Sequence, residues 1–260
     1  MDDIDRIQNY YREIARRQYT ALPVGAFDCY FHPSDSLIYF NYAIPRSAPE
    51  GDVSAAVAQL RAEFMQRRRR PRFEFIERFA PGLAPRLAAL GFSEESRLHM
   101  MTCTAKSYLQ SAMVEGLTIL RLDKRSPVGD VTEFLQTRQE GFTEIPDRPV
   151  EPAAIAYFYT TVDTVRPYLA RMHGRPVSVG LYTLPLEGIS DIAGIATIPP
   201  ARFQGIAGML TARLVGDAFA EGAKVTMLTA RDERAGRVYE RVGFMAYARM
   251  LAYSDPSIPV

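Results

Sequence analysis

The chain has 260 residues, of which 47% are hydrophobic and 23% are charged, and its formal net charge at pH 7 is +1. These values are typical of a globular protein with a sizeable core, and they favour neither a nucleic-acid partner nor a membrane partner. The first residues are acidic and then amphipathic, unlike a signal peptide, and no apolar run approaches the roughly 20 residues of a membrane span. We therefore expect a cytoplasmic protein, whose oligomeric state the sequence leaves open.

Metal-binding residues are sparse in the sequence. The two cysteines, Cys29 and Cys103, lie far apart in apolar segments, and the three histidines are scattered. This pattern predicts no metal site. Reduced, buried thiols are favoured over a disulfide, which remains the alternative.

The first 104 residues alternate between helical and strand-like patterns of apolar residues. Aromatic and β-branched residues on either side of His-Pro-Ser-Asp predict a β-hairpin. In chain order, the predicted elements are a helix over 3–20, a hairpin of strands 25–32 and 37–44, a helix over 52–70, a strand over 72–79, a short helix over 81–90 and a strand over 94–104.

A second series of elements begins near residue 116. In chain order, it comprises a strand over 116–123, a helix over 128–142, a helix over 152–174 that Pro167 must kink or split, two strands within 175–198, a helix ending at Glu221, a strand over 224–230, a helix over 233–242 and a strand over 244–253.

The two series share a local pattern. Leu-Gly-Phe at 90–92 and Val-Gly-Phe at 242–244 each follow a predicted helix and precede a predicted strand. The order of strand, helix and strand around both tripeptides is the same. This pattern favours an internal duplication with its joint between residues 104 and 116.

The segment Arg-Phe-Gln-Gly-Ile-Ala-Gly-Met-Leu, residues 202–210, connects a predicted strand to a predicted helix. Backbone N–H groups at a helix start have no partner within the helix, and the helix macrodipole adds positive potential there. Gly205, Ala207 and Gly208 lack side-chain bulk, so a diphosphate can approach these N–H groups from Gln204 onward. Arg202 can add a charge-assisted contact. A glycine turn that only starts a helix is the alternative interpretation.

This segment and a second motif about 30 residues later resemble the GCN5-related N-acetyltransferase (GNAT) superfamily. The first motif of that superfamily is Arg/Gln-x-x-Gly-x-Gly/Ala, and the second is Asn-x-x-Ala-x-x-x-Tyr-x-x-x-Gly-Phe. The resemblance covers residues 175–253, and more loosely 116–253. The matching residues are Arg202, Gly205 and Ala207 in the first motif, and Asp232 (in place of Asn), Ala235, Tyr239, Gly243 and Phe244 in the second.

The resemblance implies an α/β fold of two GNAT-like domains, each with a mixed central β-sheet flanked by helices. We predict a degenerate domain without a coenzyme motif over 1–110 and an acetyl-CoA-binding acetyltransferase domain over 115–260. The implied activity is that of an acyl-CoA-dependent N-acyltransferase, with a small molecule or peptide as the amine acceptor and no metal. The acyl group is acetyl or longer.

The resemblance also implies the roles of individual residues. Tyr239 is the expected general acid, which protonates the departing thiolate; a tyrosine that only packs on its helix is the alternative. Asp232 either caps that helix or contacts the coenzyme. A backbone N–H on the strand 192–198 is expected to polarise the thioester carbonyl. The expected coenzyme-binding residues are Thr197, Ile198, Arg202, Phe203, Gln204, Gly205, Ile206, Ala207, Gly208 and Asp232.

Three carboxylates are candidates for the general base that deprotonates the amine, and the sequence does not choose among them. They are Glu140, Glu144 and Asp191. A carboxylate in such a position is more often a solvated surface charge than a base.

The first half lacks both features of the implied site. Leu87 has the position before the Gly-Phe step that Tyr239 has in the second half. Glu50 and Asp52 would repel a diphosphate. We expect this half to have a structural role, packing on the second half and shaping one wall of the acceptor cleft. The four arginines at 67–70 follow a predicted helix, where cations complement the macrodipole without any nucleic acid.

Three functional hypotheses follow. The leading one is an active N-acyltransferase with one working half. The second is a non-catalytic acyl-CoA-binding regulatory module, which would keep the coenzyme-binding segment 202–208 and tolerate the loss of Tyr239. The third is an unrelated α/β domain whose turn only resembles the signature.

Overall fold

The structure is a computed structural model that describes residues 3–33, 37–146 and 149–258. It divides into two compact units. One comprises the residues up to Met100 together with those from Tyr247 onward, and the other comprises Met101–Ala246. The predicted domain ranges, 1–110 and 115–260, differ from these units at the C-terminus. The reason is strand pairing, because Tyr253 of the last strand lies opposite Phe73 of the first unit.

The first unit is a mixed sheet with helices packed against it. The elements are α1 (Asp3–Gln18), β1 (Thr20–Val24), β2 (Phe27–Phe31), β3 (Tyr42–Pro45), α2 (Ser54–Gln66), β4 (Arg72–Ile76), α3 (Leu83–Ala89), β5 (Ser93–Thr104, which ends in the second unit) and β11 (Met245–Ser254, which begins there). The strands of the sheet have the order β1-β2-β3-β4-β11, in which β3 and β4 are parallel and the other pairs are antiparallel. A core of buried aromatic and aliphatic side chains, such as Phe27, Phe64 and Phe73, joins sheet and helices.

The hairpin prediction for this unit is partly wrong. The strand β2 pairs on one side with β1, which the sequence did not indicate, and on the other with β3. Residues Ile38–Phe40 form a turn of 3-10 helix instead of the start of a strand. Of the predicted His-Pro-Ser-Asp connection, Ser34 and Asp35 lie outside the described residues.

The second unit is also a mixed sheet with helices packed against it, which confirms the predicted fold class. The elements after β5 are β6 (Leu117–Arg121), α4 (Val128–Thr143), α5 (Pro152–Thr161), β7 (Val165–Met172), β8 (Arg175–Thr183), β9 (Ile189–Thr197), α6 (Ile206–Ala220), β10 (Val225–Ala230) and α7 (Glu233–Glu240). The strands of the sheet have the order β5-β10-β9-β8-β7-β6. The pair β9 and β10 is parallel, and the neighbouring pairs from β9 to β6 are antiparallel.

The helix predicted over 152–174 is wrong in its second part. The helix α5 ends at Thr161, and the apolar residues after it form the strand β7 between β6 and β8. A short apolar run does not distinguish a buried strand from a buried helix by its periodicity. Pro167 has no N–H group to donate to the ladder. Its carbonyl accepts a 2.8 Å hydrogen bond from the backbone N–H of Leu122, just past the end of β6 at Arg121.

The Gly-Phe steps of the two units have the same backbone geometry. Gly91 and Gly243 have φ angles of 85° and 96°, which glycine adopts without strain. The N–H of Phe92 donates to the carbonyl of Leu87, and the N–H of Phe244 donates to the carbonyl of Tyr239, at 3.0 and 3.1 Å. The likeness that the sequence indicated therefore extends to the hydrogen bonds that end helices α3 and α7.

In the described ranges, no helix has the length and apolar character that crossing a bilayer requires. The thiols of Cys29 and Cys103 are free and buried. The described residues also contain no cluster of three or more potential metal ligands.

Candidate active site

The parallel strands β9 and β10 separate after a short paired stretch. They pair over Ile189–Asp191 and Val225–Met227, and Asp191 lies opposite Met227 in the last pair. Beyond this pair a cavity of about 480 Å³ lies along the two strands, lined by Ile192–Ile195 of β9 and by Leu228 and Thr229 of β10. Backbone groups that face the gap therefore lack the neighbouring strand that a continuous sheet would supply.

A β-bulge in β9 contributes to this separation. The register with β8 changes from Val179 opposite Ala196 to Leu181 opposite Ala193, so β9 carries one additional residue. Gly194 within this step has a φ angle of 64°, which favours glycine. A bulge bends the strand and leaves the additional residue outside the regular ladder. The bulge lies within the segment in which the sequence predicted a carbonyl-polarising N–H group.

The predicted coenzyme loop leads from β9 into helix α6. Gly205 precedes the helix with a φ angle of 79°, and, having no side chain, it does not cap the first N–H groups of α6. Ile206 is buried, and it packs with Ile198 and Val177 beneath the loop. A Cβ atom built on Gly208 would lie 3.6 Å from the Ser111 hydroxyl, an ordinary contact. Glycine at 208 is therefore not required by crowding within the protein.

The cavity brings together six of the eleven predicted site residues. Ile198 and Ile206 support the loop from below, and the Gln204 amide donates to the Pro200 carbonyl at 3.2 Å. Ile198, Ile206 and Gln204 do not line the described cavity, and neither do Gly205 and Gly208. The six residues that do line it are Thr197, Arg202, Phe203, Ala207, Asp232 and Tyr239.

The guanidinium of Arg202 connects the loop before α6 to the end of helix α4 through hydrogen bonds. It donates to the backbone carbonyls of Thr197 and Gly141, each at 3.1 Å, and to the Glu144 carboxylate at 2.7 Å. Helix α4 lies close to β9 here, because a Cβ atom on Gly141 would be only 2.8 Å from that of Ala196. The pKa of Glu144 is lowered by its hydrogen bond to Arg202, so this carboxylate is a poor general base.

Of the three candidate bases, Asp191 is the one that the described lining of the cavity includes. It lies at the point where β9 and β10 separate. Burial raises the pKa of its carboxyl to about 7. A carboxylate with a pKa near neutrality is suited to accept a proton at physiological pH.

Tyr239 and Asp232 lie on helix α7 at the same cavity. Burial raises the pKa of the Tyr239 phenol to about 12, so its hydroxyl is protonated at neutral pH. The Tyr239 ring packs edge-on against Phe244, with 6.1 Å between ring centroids. Asp232 caps the helix, since its carboxylate accepts a 2.8 Å hydrogen bond from the Ala235 N–H, and this bond lowers the pKa of the carboxyl. The capping alternative is thus observed, and contact with a coenzyme stays a prediction.

Comparison with known proteins gives the same family as the motifs. Residues 131–244 match the family described as the acetyltransferase (GNAT) family. This segment belongs to the GNAT family. It contains the separated strands, the loop before α6 and Tyr239. Proteins of this family generally use acetyl-CoA, and their fold supports acyltransferase activity in general.

Solved structures show that the likeness of fold extends over nearly the whole chain. A GCN5-related N-acetyltransferase from Kribbella flavida is similar over 97% of this chain and 95% of its own, with a TM-score of 0.79 and 23% identity. A GCN5-related N-acetyltransferase from Sphaerobacter thermophilus is similar over 90% and 78%, with a TM-score of 0.66 and 17% identity. A tandem GNAT protein from the clavulanic acid biosynthesis pathway is similar over 91% and 80%, with a TM-score of 0.64 and 14% identity. No curated protein matches the sequence.

The cavity between β9 and β10 is also lined by two arginines that the motifs did not indicate, Arg231 and Arg234. The guanidinium carbon of Arg234 lies 4.3 Å from the centroid of the Phe203 ring. Phe203 is 80% exposed, and its φ angle of 65° is unusual for a residue other than glycine. The density of arginine between 231 and 241 was the available signal, but spacing alone does not show which side chains face the cavity.

In the first unit, the start of helix α2 is occupied by an acidic side chain. The Asp52 carboxylate accepts hydrogen bonds from the N–H and the hydroxyl of Ser54, at 2.8 and 2.7 Å. Leu87, which takes the place of Tyr239 before the Gly-Phe step, is fully buried. Both observations agree with the predicted lack of a coenzyme site in this half, which stays a prediction.

Proposed function

We propose that the chain transfers an acetyl group from acetyl-CoA to a primary amine of a small molecule or peptide. One observation carries this proposal: the cavity between β9 and β10 is lined both by the signature residues Arg202 and Ala207 and by two groups suited to move protons, Asp191 and Tyr239. We further propose that the first unit is a degenerate copy with a structural role.

The residues at the cavity fit the coenzyme. The start of helix α6 presents N–H groups that its N-cap residue, Gly205, does not cap, and Ala207 in its first turn adds little bulk. Arg231 and Arg234 contribute positive charge at the same cavity. These features suit the diphosphate and the 3′-phosphate of coenzyme A. When bound, acetyl-CoA supplies an acetyl group activated as a thioester.

Asp191 is the proposed general base. A protonated amine is not a nucleophile, so its proton has to leave before attack. The pKa of Asp191, about 7, gives an appreciable deprotonated fraction at neutral pH while leaving the carboxylate basic enough to accept that proton. Asp191 lines the cavity and is the last residue of β9 that pairs with β10, which supports this role.

Tyr239 is the proposed general acid. Its phenol keeps its proton at neutral pH, since burial raises the pKa to about 12, and it donates that proton to the departing sulfur. The N–H groups of the bulged segment around Gly194 are the proposed donors to the carbonyl oxygen. In the balanced reaction, the ammonium first gives one proton to Asp191, from which it leaves to solvent. A C–N bond then forms and the C–S bond breaks, the Tyr239 proton ends on sulfur, and the second proton lost by the nitrogen restores the Tyr239 phenol.

The test is an assay of thiol release from acetyl-CoA by the full chain with a panel of primary amines, with products identified by mass spectrometry. We expect N-acetylated products whose formation requires both the protein and an amine. Micromolar binding of acetyl-CoA without acetylation of any amine would support the regulatory alternative. No binding of any coenzyme A form would overturn the proposal.

A further inference from the structure

Phe203 lines the cavity between β9 and β10 in a position that core packing does not explain. Its side chain is 80% exposed, so it contributes little to the hydrophobic core. Its backbone has a φ angle of 65°, which a residue with a Cβ atom adopts only at a cost. Strained residues of this kind are concentrated at ligand-binding sites, where the surrounding structure holds them in place. The conformation of Phe203 therefore points to a ligand.

A guanidinium covers one face of the Phe203 ring. The guanidinium carbon of Arg234 lies 4.3 Å from the ring centroid, a distance at which a cation is attracted to the π-electrons. This contact joins the loop before α6 to the first turn of α7, and it orients a ring that the core does not hold. Because the ring is largely exposed, its other face is open to solvent. An open aromatic face is a platform on which a second flat ring can stack.

The residues around this platform favour a nucleotide as the ligand. Phe203 follows Arg202 directly and precedes by two residues Gly205, the N-cap of α6, where we propose that the diphosphate binds. Arg231 and Arg234 line the same cavity, and their positive charges suit phosphate groups. In coenzyme A, a ribose joins the purine directly to the diphosphate. The purine is therefore the ring that can lie beside Phe203 when the diphosphate is at the start of α6.

The direction of the coenzyme along helix α7 agrees with this position. Arg234 is in the first turn of α7 and Tyr239 is in its last turn, and both line the cavity. The thioester is proposed to lie at Tyr239. The nucleotide, at the opposite end of the coenzyme, then belongs at the first turn of α7, where Arg234 contacts Phe203.

We propose that the open face of Phe203 stacks on the adenine of the coenzyme, while Arg234 holds the ring from the opposite face. The inference rests on the proposed function. It makes Phe203 a specificity-determining residue for the acyl donor: a thioester that carries the nucleotide is preferred over a thioester of phosphopantetheine, whether free or attached to a carrier protein.

The first test is calorimetric titration with two donors that differ in the nucleotide, acetyl-CoA and S-acetyl-4′-phosphopantetheine. The wild-type protein should bind acetyl-CoA more tightly by about 10-fold or more. Phe203→Leu keeps an apolar side chain and the backbone strain but removes the aromatic face. In this variant the Kd for acetyl-CoA should rise about 10-fold, while the Kd for the phosphopantetheine thioester stays within about twofold. Phe203→Tyr, which keeps an aromatic face, should bind acetyl-CoA as the wild-type protein does.

A matched control is Phe40→Leu, the same substitution at an exposed phenylalanine of the first unit. It should leave the Kd for both donors unchanged.

A second test reports stacking directly. The chain contains no tryptophan, so Phe203→Trp places a single indole at the proposed platform. Stacking on adenine quenches indole fluorescence. Coenzyme A and adenosine 3′,5′-bisphosphate should therefore each lower the emission of this variant at saturation, whereas S-acetyl-4′-phosphopantetheine should not. A merely structural role of residue 203 would not produce this difference.

Four outcomes would overturn the inference alone: equal binding of both donors by the wild-type protein, unchanged binding of acetyl-CoA by Phe203→Leu, an equal loss of affinity for both donors in that variant, or an emission of Phe203→Trp that bound coenzyme A leaves unchanged. Failure of the wild-type protein to bind any coenzyme A form would instead overturn the proposed function.

Discussion

The guanidinium of Arg202 lies 2.7 Å from the Glu144 carboxylate and joins the loop before α6 to the end of α4. The same guanidinium also donates to the carbonyls of Thr197 and Gly141. Arg202 is therefore oriented by backbone acceptors, and Glu144 adds a negative charge that competes with any phosphate for the same cation.

Neutralising Glu144 should tighten coenzyme binding. In Glu144→Gln, Arg202 keeps its two backbone acceptors but loses the competing carboxylate, so we expect the Kd for acetyl-CoA to fall about threefold at low salt and less at high salt. Stability should change little, because the pair is exposed and screened by solvent. Calorimetric titration at two ionic strengths is the measurement. Glu140→Gln, near the end of the same helix, is the control. Weaker binding in Glu144→Gln would show that Glu144 positions Arg202 instead.

Removing the Tyr239 hydroxyl should separate catalysis from binding. In Tyr239→Phe, we expect kcat to fall about 100-fold, because no group remains to protonate the departing sulfur. The Kd for acetyl-CoA should stay within about twofold, since the ring keeps its contact with Phe244. Steady-state kinetics and calorimetry measure the two quantities, with Tyr39→Phe at an exposed tyrosine as the control. An unchanged kcat would remove Tyr239 from the mechanism.

The pKa of Asp191 should appear in the pH profile of kcat/KM. Because a base has to be deprotonated, kcat/KM should rise about tenfold per pH unit below pH 7 and level off above the Asp191 pKa of about 7. Asp191→Asn should lower the plateau about 100-fold or more and remove this inflection. An acceptor whose own pKa exceeds about 9 keeps the amine titration outside this range. A profile that Asp191→Asn leaves unchanged in shape would contradict the assignment.

The same carboxyl links stability to pH. Its pKa is raised from 3.8 to about 7 in the folded protein, so between these values the folded state binds more protons than the unfolded state. This group therefore lowers the unfolding free energy as the pH rises from about 4 to 7. Asp191→Asn should remove that part of the pH dependence in urea denaturation, which checks the pKa without any assay of activity.

The backbone conformation of Phe203, which is exposed at the cavity, should lower the free energy of unfolding. Its φ angle of 65° costs a residue with a Cβ atom about 1 kcal/mol, which glycine avoids. Phe203→Gly and Phe203→Ala both lose the contact with Arg234, so their difference reports the backbone strain set against the greater conformational entropy of glycine in the unfolded chain. Because a Cβ atom at a positive φ angle costs more than this entropy, we expect the glycine variant to be more stable than the alanine variant in urea denaturation, by less than about 1 kcal/mol. A more stable alanine variant would show that the backbone at 203 is unstrained.

The local part of the site was predictable from the sequence, because it depends on residues close in the chain. Arg202 and Ala207 belong to a short motif at a strand-to-helix turn, and Tyr239 belongs to a short motif at the end of a helix. All three residues line the cavity. Gly194 within an apolar strand was a further signal for a bulge that the motifs did not use.

The rest of the site depends on which elements pack together. Nothing in the sequence distinguishes Asp191 from Glu140 as a base, since burial at the separating strands sets its pKa. Arg231 and Arg234 have no distinguishing spacing either, because their importance comes from the cavity that they line. The helix predicted across Pro167 failed for a related reason: the neighbouring strands β6 and β8 make that segment a strand.

The most direct test of the account is calorimetric titration of Ala207→Glu with acetyl-CoA. Ala207 lines the cavity in the first turn of α6, where a glutamate favours the helix through the macrodipole but occupies the proposed diphosphate position. Gly205 is less suitable, since its φ angle of 79° would strain any other residue. The control is Gly129→Glu, which places the same charge in the first turn of α4 with no atom within 4 Å of the new Cβ.

The account predicts micromolar binding by the wild-type protein and by Gly129→Glu, and a loss of at least about 100-fold in Ala207→Glu at undiminished thermal stability. Equal binding by all three proteins, or no binding by the wild-type protein, would contradict it.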